Sequence, residues 1–203
     1  MTRPHTLIIY AHPSPGSFNH AVLQAVTDSL DRKSRPYDVI DLYADGFDPR
    51  YTPEELALFH EGGTLDTLVT RYQDLLDTAT RLIIIAPVWW SGAPSILNGF
   101  VEKVMKQGWA YKITVRGVRG KLGHIREVLY LSTSTSPTRH LRRRCGNAIE
   151  KVFLGTTLRQ LGIRKRRWVN FGKVGKGGKR RHNKHLKRVA RLARSSKDRK
   201  SVV

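Results

Sequence analysis

Apolar residues follow two different periods along this chain of 203 residues. Short runs rich in Ile, Val and Leu, bounded by Pro, Gly or polar residues, predict buried strands at residues 6–11, 37–42, 82–86, 128–132 and 168–171. Between them, apolar residues recur every three or four positions, which predicts helices beginning near residues 19, 52, 65, 94 and 147. Strands that alternate with helices in this way predict a doubly wound α/β fold, with one parallel sheet covered on both faces.

The loop after the third predicted strand carries two adjacent tryptophans. Pro87 and Val88 end the strand, Trp89 and Trp90 follow, and Pro94 marks the start of the next helix. Loops at the carboxyl ends of parallel strands are where open sheets bind ligands. Two large aromatic side chains in such a loop therefore indicate a flat aromatic ligand, with a role in the core as the alternative.

Two further loops at the same edge are rich in hydrogen-bond donors. The loop after the first strand holds His12, Ser17 and Asn19 at the start of a helix, whose free N–H groups suit a phosphate. The alternative is that Ser17 or Asn19 only caps the helix. The hydroxyl residues at 132–136 form either an ordinary turn or contacts with a heterocycle. No G-x-G-x-x-G motif follows the first strand, so a Rossmann dinucleotide site is not expected.

The net positive charge of the chain comes from its last third. Residues 1–138 contain 14 Lys and Arg and 14 Asp and Glu, whereas residues 139–203 contain 23 Lys and Arg and two acids, which gives the net charge of +21. A single cysteine, Cys145, excludes an internal disulfide. No secretory signal and no apolar stretch of about 20 residues are found, so a cytoplasmic protein is expected. The histidines show no metal-ligand spacing, and no metal is expected.

Residues 173–203 are expected to form a basic, partly helical tail after a domain at residues 1–172. Glycines at 175–178 predict a hinge. The helix after it carries a thin apolar stripe made of Leu186, Val189, Ala190 and Ala193. Three alternatives stay open: docking on the protein itself or a dimer partner, binding to an anionic partner (nucleic acid, membrane surface or acidic protein), and a solubilising tail. No aromatic residue interleaves the helix, so stacking on single-stranded bases is not expected.

Three segments resemble the flavodoxin-like NAD(P)H:quinone oxidoreductases, a family that includes the potassium-efflux ancillary reductases. They are AHPSPGSFN (11–19), PVWWSGAPSILNGFVEKVMKQGWAY (87–111) and GKLGHIREVLYLSTST (120–135), and the similarity extends over residues 7–172. The resemblance implies a sheet ordered 2-1-3-4-5, a homodimer, and FAD or FMN at the carboxyl edge, with the loop at 17–19 favouring FAD. It also implies ping-pong hydride transfer from NAD(P)H to the flavin, and then to a quinone or similar acceptor.

The resemblance further implies roles for individual residues. The implied cofactor contacts are His12, Ser17, Phe18 and Asn19 at the phosphate, Pro87, Val88, Trp89 and Trp90 along the isoalloxazine edge, and Ser134, Thr135 and Ser136 near its pyrimidine part. Trp109 and Tyr111 would line the acceptor pocket, partly across the dimer interface.

The chain departs from the family pattern after the third loop. The larger quinone reductases of the family carry a Tyr and a His there, and only His140 is a candidate catalytic residue in this sequence. The arginines at 139 and 142–144 suit the 2′-phosphate of NADPH or a phosphate of FAD, or they form a solvated basic face. Two other functions stay open: reduction of a nitro or azo acceptor, and a regulatory protein of flavodoxin fold held at an anionic partner by its tail.

Overall fold

A computed structural model describes residues 5–176 and 178–195. Its strands are β1 (Thr6–Tyr10), β2 (Tyr37–Asp41), β3 (Arg81–Pro87), β4 (Tyr111–Thr114), β5 (Gly117–Gly120), β6 (Glu127–Ser134) and β7 (Lys165–Gly172). Five of them form a parallel sheet ordered β2-β1-β3-β6-β7. Numbered within this sheet, the order is 2-1-3-4-5, which confirms the expected flavodoxin-like topology.

The helices are α1 (Phe18–Asp31), α2 (Pro53–Ala57), α3 (Thr67–Thr78), α4 (Ser95–Val104), α5 (Thr138–Arg144), a π-helix (Ile149–Leu158) and α6 (Lys179–Arg194). Polar caps fix where several of them begin. Thr52 Oγ1 accepts the Glu55 N–H at 3.2 Å, as its spacing predicts, and Asp66 accepts the Leu68 N–H at 2.9 Å. The helix predicted from residue 65 therefore begins only after Asp66.

Side chains of the sheet alternate between two hydrophobic cores, because successive residues of a strand point to opposite faces. Leu7, Ile84 and Tyr130 face α3, α4 and the π-helix, whereas Ile8, Ile85 and Leu131 face α1 and α6. All six are buried, which explains why the strands read as continuous apolar runs.

Helix α6 packs on α1 of the same chain. Val189, Leu192 and Ala193 are buried in the core on the α1 side, and Ser29 Oγ donates to the Ala190 carbonyl at 2.7 Å. Of the three alternatives for the basic segment, the structure shows docking on the protein itself for residues up to 195. Residues 196–203 lie outside the described residues. Helix α6 therefore packs into the same hydrophobic core as residues of the domain expected at 1–172.

The antiparallel ribbon β4–β5 was not expected from the sequence. Its apolar residues Ile113 and Val118 are 64% and 46% exposed, so no buried-strand pattern marks it. The segment predicted as a helix from residue 147 is mainly the π-helix. Strand β7 begins three residues before the predicted strand. These three residues are basic, so the apolar pattern did not mark them as part of a strand. Within the described residues, no helix is both long and apolar enough to cross a membrane.

Candidate functional site

The carboxyl ends of β1, β3 and β6 are neighbours, so the loops that follow them share one edge of the sheet. Two hydrogen bonds join these loops at Thr133. Asn19 Nδ2 donates to Thr133 Oγ1 at 2.9 Å, and the Val88 N–H donates to the Thr133 carbonyl at 2.8 Å. The structure thus brings the three loops together around a residue that was not among the predicted site residues.

The loop after β1 ends at the first turn of α1. Ser17 is the N-cap, and its Oγ accepts the His20 N–H at 3.1 Å, so Ser17 does cap the helix. The other N–H groups of this turn have no partner within the helix and point toward the loop. The Phe18 ring packs on the ring of His182, with centroids 4.7 Å apart, so α6 holds it in place.

Asn19 and His12 give this loop its polar character. Asn19 is buried, and its Oδ1 has no hydrogen-bond partner among the described residues. A buried carbonyl oxygen without a partner is uncommon, and it marks a place for a donor from a ligand or water. His12 Nδ1 accepts the Ser14 N–H at 3.1 Å, and burial lowers the pKa of His12. Because Nδ1 accepts this hydrogen bond, the neutral ring carries its proton on Nε2, which can donate to a ligand.

The two tryptophans occupy a tight turn after β3. Trp89 and Gly92 exchange backbone hydrogen bonds of 3.2 and 3.0 Å, and the residues between them, Trp90 and Ser91, have φ angles of 46° and 67°. Two positive φ angles define a type I′ turn, which usually takes Gly or Asn. Trp90 is fully exposed and Trp89 is 44% exposed. Such strain under an exposed aromatic side chain is typical of a binding site, and a core role is excluded for Trp90.

The loop after β6 is held by hydrogen bonds to strand β7. Asn170 Nδ2 donates to Ser134 Oγ at 2.8 Å, and Ser134 Oγ donates to the Ser136 carbonyl at 2.7 Å. Ser134 is thus occupied in shaping the loop, whereas Thr135 is exposed and Ser136 is half-buried. Sequence reasoning missed Asn170, although an amide inside the apolar strand WVNFG was a usable signal.

A basic recess follows this loop. A cavity of about 340 Å³ lies along α5 and is lined by Pro137, Arg139, His140, Arg143 and Arg144. Arg142 takes another direction, since its Nε lies 3.1 Å from Glu150 Oε2 and its guanidinium stands over the Trp168 ring. His140 is exposed and belongs to the lining of the recess.

Trp109 and Tyr111 lie away from the three loops of their own chain. Trp109 Nε1 donates to Asp77 Oδ2 at 3.3 Å near the end of α3, just before β3 begins. Tyr111 lines an apolar cavity of about 440 Å³ together with Phe59, Met105 and Leu161. One chain alone does not bring these two aromatic residues to the carboxyl edge.

The site combines a helix N-terminus, an unpartnered buried oxygen and an exposed aromatic turn. These features fit a flat heterocycle that carries a phosphate. In the part of the chain that the structure describes, no three His, Cys, Asp or Glu side chains are grouped as a metal site.

Comparisons with known proteins agree with the fold. A family described as having a flavodoxin-like fold matches residues 4–194. A ribosyldihydronicotinamide dehydrogenase (quinone) from Pongo abelii is 32% identical over 129 residues, covering 56% of this chain and 56% of that protein. The chain thus spans little more than half the length of this relative.

Solved structures match over nearly the whole chain. An NAD(P)H:quinone oxidoreductase from Methanothermobacter marburgensis has a TM-score of 0.84 and 27% identity, covering 95% of this chain and 96% of that one. An FMN-dependent NADH-azoreductase from Bacillus anthracis str. Ames Ancestor, in complex with FMN, has a TM-score of 0.74 at 21% identity over 94% and 97% of the two chains, a likeness of fold alone. The protein is of the flavodoxin-like class. It belongs to the family that contains the NAD(P)H:quinone oxidoreductases.

Proposed function

We propose that this chain is a flavin-dependent oxidoreductase that passes hydride from NAD(P)H through the flavin to a quinone or similar acceptor, in a ping-pong sequence. The observation that carries the proposal is the junction of the three loops at Thr133. This junction brings the N-terminus of α1, which would hold the phosphate, next to the exposed aromatic turn. The quinone reductases among the relatives support the same chemistry.

The bound flavin would supply the redox chemistry, and the protein would bind it, orient it and tune its potential. Free N–H groups of the first turn of α1 would hold the phosphate, and Asn19 Oδ1 would accept a hydrogen bond from a ligand hydroxyl. The main chain at 87–90 would follow the isoalloxazine edge, with Thr135 and Ser136 near its pyrimidine part. FAD is the proposed cofactor, and FMN, which the azoreductase of the same fold holds, is the alternative.

The basic recess would select NADPH over NADH. Arg139 and Arg143 have no carboxylate partner among the described residues, and a guanidinium fork suits a 2′-phosphate. Replacing both by Gln should raise the KM for NADPH and leave that for NADH unchanged. Replacing the exposed Lys151 and Arg159 is the control, because it removes the same charge from residues that do not line the recess. Equal effects on both coenzymes would contradict the assignment.

A second copy of the chain would complete the acceptor pocket. The cavity beside Tyr111 is apolar, and the ribbon next to it exposes Ile113 and Val115, with Val115 wholly in solvent. Contiguous apolar surface of this kind is typical of an interface between proteins. In a homodimer, Trp109 and Tyr111 of one protomer would reach the site of its partner.

The test is an absorbance spectrum of the purified protein under anaerobic conditions, after incubation with FAD or FMN. A band near ~450 nm that bleaches on addition of NADPH and returns with a quinone would support the proposal. Return with an azo dye alone would move the acceptor to that class. A protein that retains neither flavin would contradict the proposed function.

A further inference from the structure

Helix α6 presents a uniformly cationic surface. It contains three lysines and five arginines and no acidic residue, and all eight are exposed. Its only buried side chains are Val189, Leu192 and Ala193, which pack toward α1. The apolar side of the helix is therefore occupied, and the side left to solvent is almost purely basic.

The helix is held rigidly in this orientation. The buried Arg81 side chain donates from Nη2 to the Leu192 carbonyl at 3.0 Å and from Nη1 to the Ala193 carbonyl. Arg81 is fixed in turn by Glu127, whose Oε2 lies 3.2 Å from its Nε. A partner would thus meet a preformed row of charges, which reduces the entropy lost on binding.

Five of the cations form a straight row. At 100° per residue, Arg180, Lys184, Lys187, Arg191 and Arg194 fall within an arc of about 80°, and they extend over about 21 Å of the helix axis. Along this row the side chains border an open groove of about 990 Å³. We call these five residues the basic row.

Among the described residues, no carboxylate pairs with the basic row. Within residues 5–176 and 178–195, none of the eight cations of α6 forms a salt bridge. Like charges three and four residues apart destabilise a helix, so the sequence of α6 opposes its own folding. An arrangement of this kind is expected where a polyanion supplies the counter-charge.

Edge strand β7 extends the same basic face. Lys165 and Arg167 are exposed and alternate in register with Val169 and Phe171, which lie in the core beneath α1 and α6. Because side chains two apart in a strand share a face, Lys165 and Arg167 lie on the α6 side of the sheet. The cationic surface is therefore wider than one helix.

Two partners fit this surface less well. Insertion into a membrane requires a free apolar face, and that of α6 is buried in the protein. Stacking on single-stranded bases requires exposed aromatic side chains, and α6 contains none. A straight row of cations carried by a docked helix instead suits the regularly spaced phosphates of a double helix.

We propose that the basic row of α6 binds the phosphate backbone of duplex nucleic acid without reading its sequence. The row lies outside the proposed flavin site, so this binding does not depend on the oxidoreductase function. Five neutralised phosphates would give a slope of log K against log salt of about −4.5, and affinity would fall about 500-fold between ~50 and ~200 mM salt.

The pKa of His185 is sensitive to the charge on this surface. Burial lowers its pKa below the ordinary 6.5, and the nearby cations Arg181, Arg188 and Lys184, together with His182, lower it further. A polyanion on α6 would offset the positive potential and favour the imidazolium form. The pKa of His185, followed by NMR, should therefore rise when duplex is added.

The experiment uses the full chain and fluorescent duplexes of about 20 base pairs, one of DNA and one of RNA, both of arbitrary sequence. Anisotropy is measured across a salt series for the wild type, for Lys187→Gln/Arg191→Gln, and for the control Lys151→Gln/Arg159→Gln. The two pairs remove the same charge, and Gln is nearly as good a helix former as Lys or Arg. Vesicles of phosphatidylcholine and phosphatidylserine are titrated in parallel at about 0.15 M salt.

The basic-row variant should lower the steepness of the salt slope by about 1.8, and the control should bind duplex like the wild type. The two duplex arms show whether DNA or RNA is preferred. Equal loss in both variants, or binding to vesicles with none to duplex at about 0.15 M salt, would overturn the proposal. NADPH oxidation by the basic-row variant is measured separately and should be unchanged, so failure here is distinct from failure of the proposed enzyme.

Discussion

Replacing Trp90 with glycine should make the protein more stable and weaken its hold on flavin. Trp90 has φ of 46° and a side chain that is fully exposed. The substitution therefore removes backbone strain without removing any buried contact.

The size of the effect follows from these two observations. The left-handed conformation costs a non-glycine residue about 1–2 kcal/mol, and glycine loses about 0.5–1 kcal/mol more backbone entropy on folding. The net gain lies between about 0 and 1.5 kcal/mol in the free energy of unfolding, with a midpoint of about 0.75 kcal/mol. For a chain of this size, that midpoint corresponds to a rise in Tm of about 1.5–3 °C.

Flavin affinity should change in the opposite direction. Loss of an aromatic contact of about 0.5–1.5 kcal/mol predicts a Kd higher by roughly 2- to 12-fold, measured by fluorescence titration of the apoprotein. Ser91→Gly is the matched control, because Ser91 has φ of 67° in the same turn and carries no aromatic ring. It should raise Tm in the same way and leave the flavin Kd unchanged.

Two results would refute this reasoning. A lower Tm for Trp90→Gly would mean that the indole packs on the protein, contrary to its exposure. An unchanged flavin Kd, with Ser91→Gly behaving identically, would remove Trp90 from the proposed cofactor site.

Three other predictions concern the core, the pH dependence and the acceptor. Arg81→Met should lower the free energy of unfolding in urea by about 3 kcal/mol, since it removes the hydrogen bonds to the end of α6 and leaves Glu127 without its partner. A loss below about 1 kcal/mol would show that these contacts of Arg81 contribute little to stability. Burial opposes ionisation of Glu55, but hydrogen bonds led by that from Lys106 outweigh it and hold its pKa at about 2, below the ordinary 4.5. A lowered folded-state pKa stabilises the protein above about pH 4.5 and loses this contribution as pH falls toward 2, so Glu55→Gln should flatten the decline of Tm in that window. Tyr111→Ala should raise the KM for a quinone while flavin is retained; loss of flavin with unchanged acceptor kinetics would contradict its proposed place in the acceptor pocket.

Several features of the site were predictable because their signals are local. Pro and Gly around an apolar run fix where a strand ends, and the loop that follows a parallel strand has only one edge on which to lie. Trp89 and Trp90 were thus assigned to the ligand-binding edge from their position alone. The cap at Thr52 was equally local, since an Oγ and an N–H three residues apart need no distant partner.

Other features depend on residues far apart in the chain. Thr133 joins the loops only because β3 and β6 are neighbours, and Asn170 shapes the loop after β6 only because β7 pairs with it. The ribbon at residues 111–120 has exposed apolar residues, which no burial pattern marks.

By itself, the sequence determined the alternation of strands and helices, the carboxyl-edge loops and the concentration of net charge in the last third. Each of these is written in the spacing or composition of neighbouring residues. The tertiary structure alone decided that α6 docks through Val189 and Leu192, and that its cations consequently share one outer face. It also separated Tyr111 from the loops of its own chain. A thin apolar stripe in the sequence is compatible with docking on several surfaces. Only the folded chain shows that α1 is the surface that covers it, because burial depends on which surfaces the whole fold brings together.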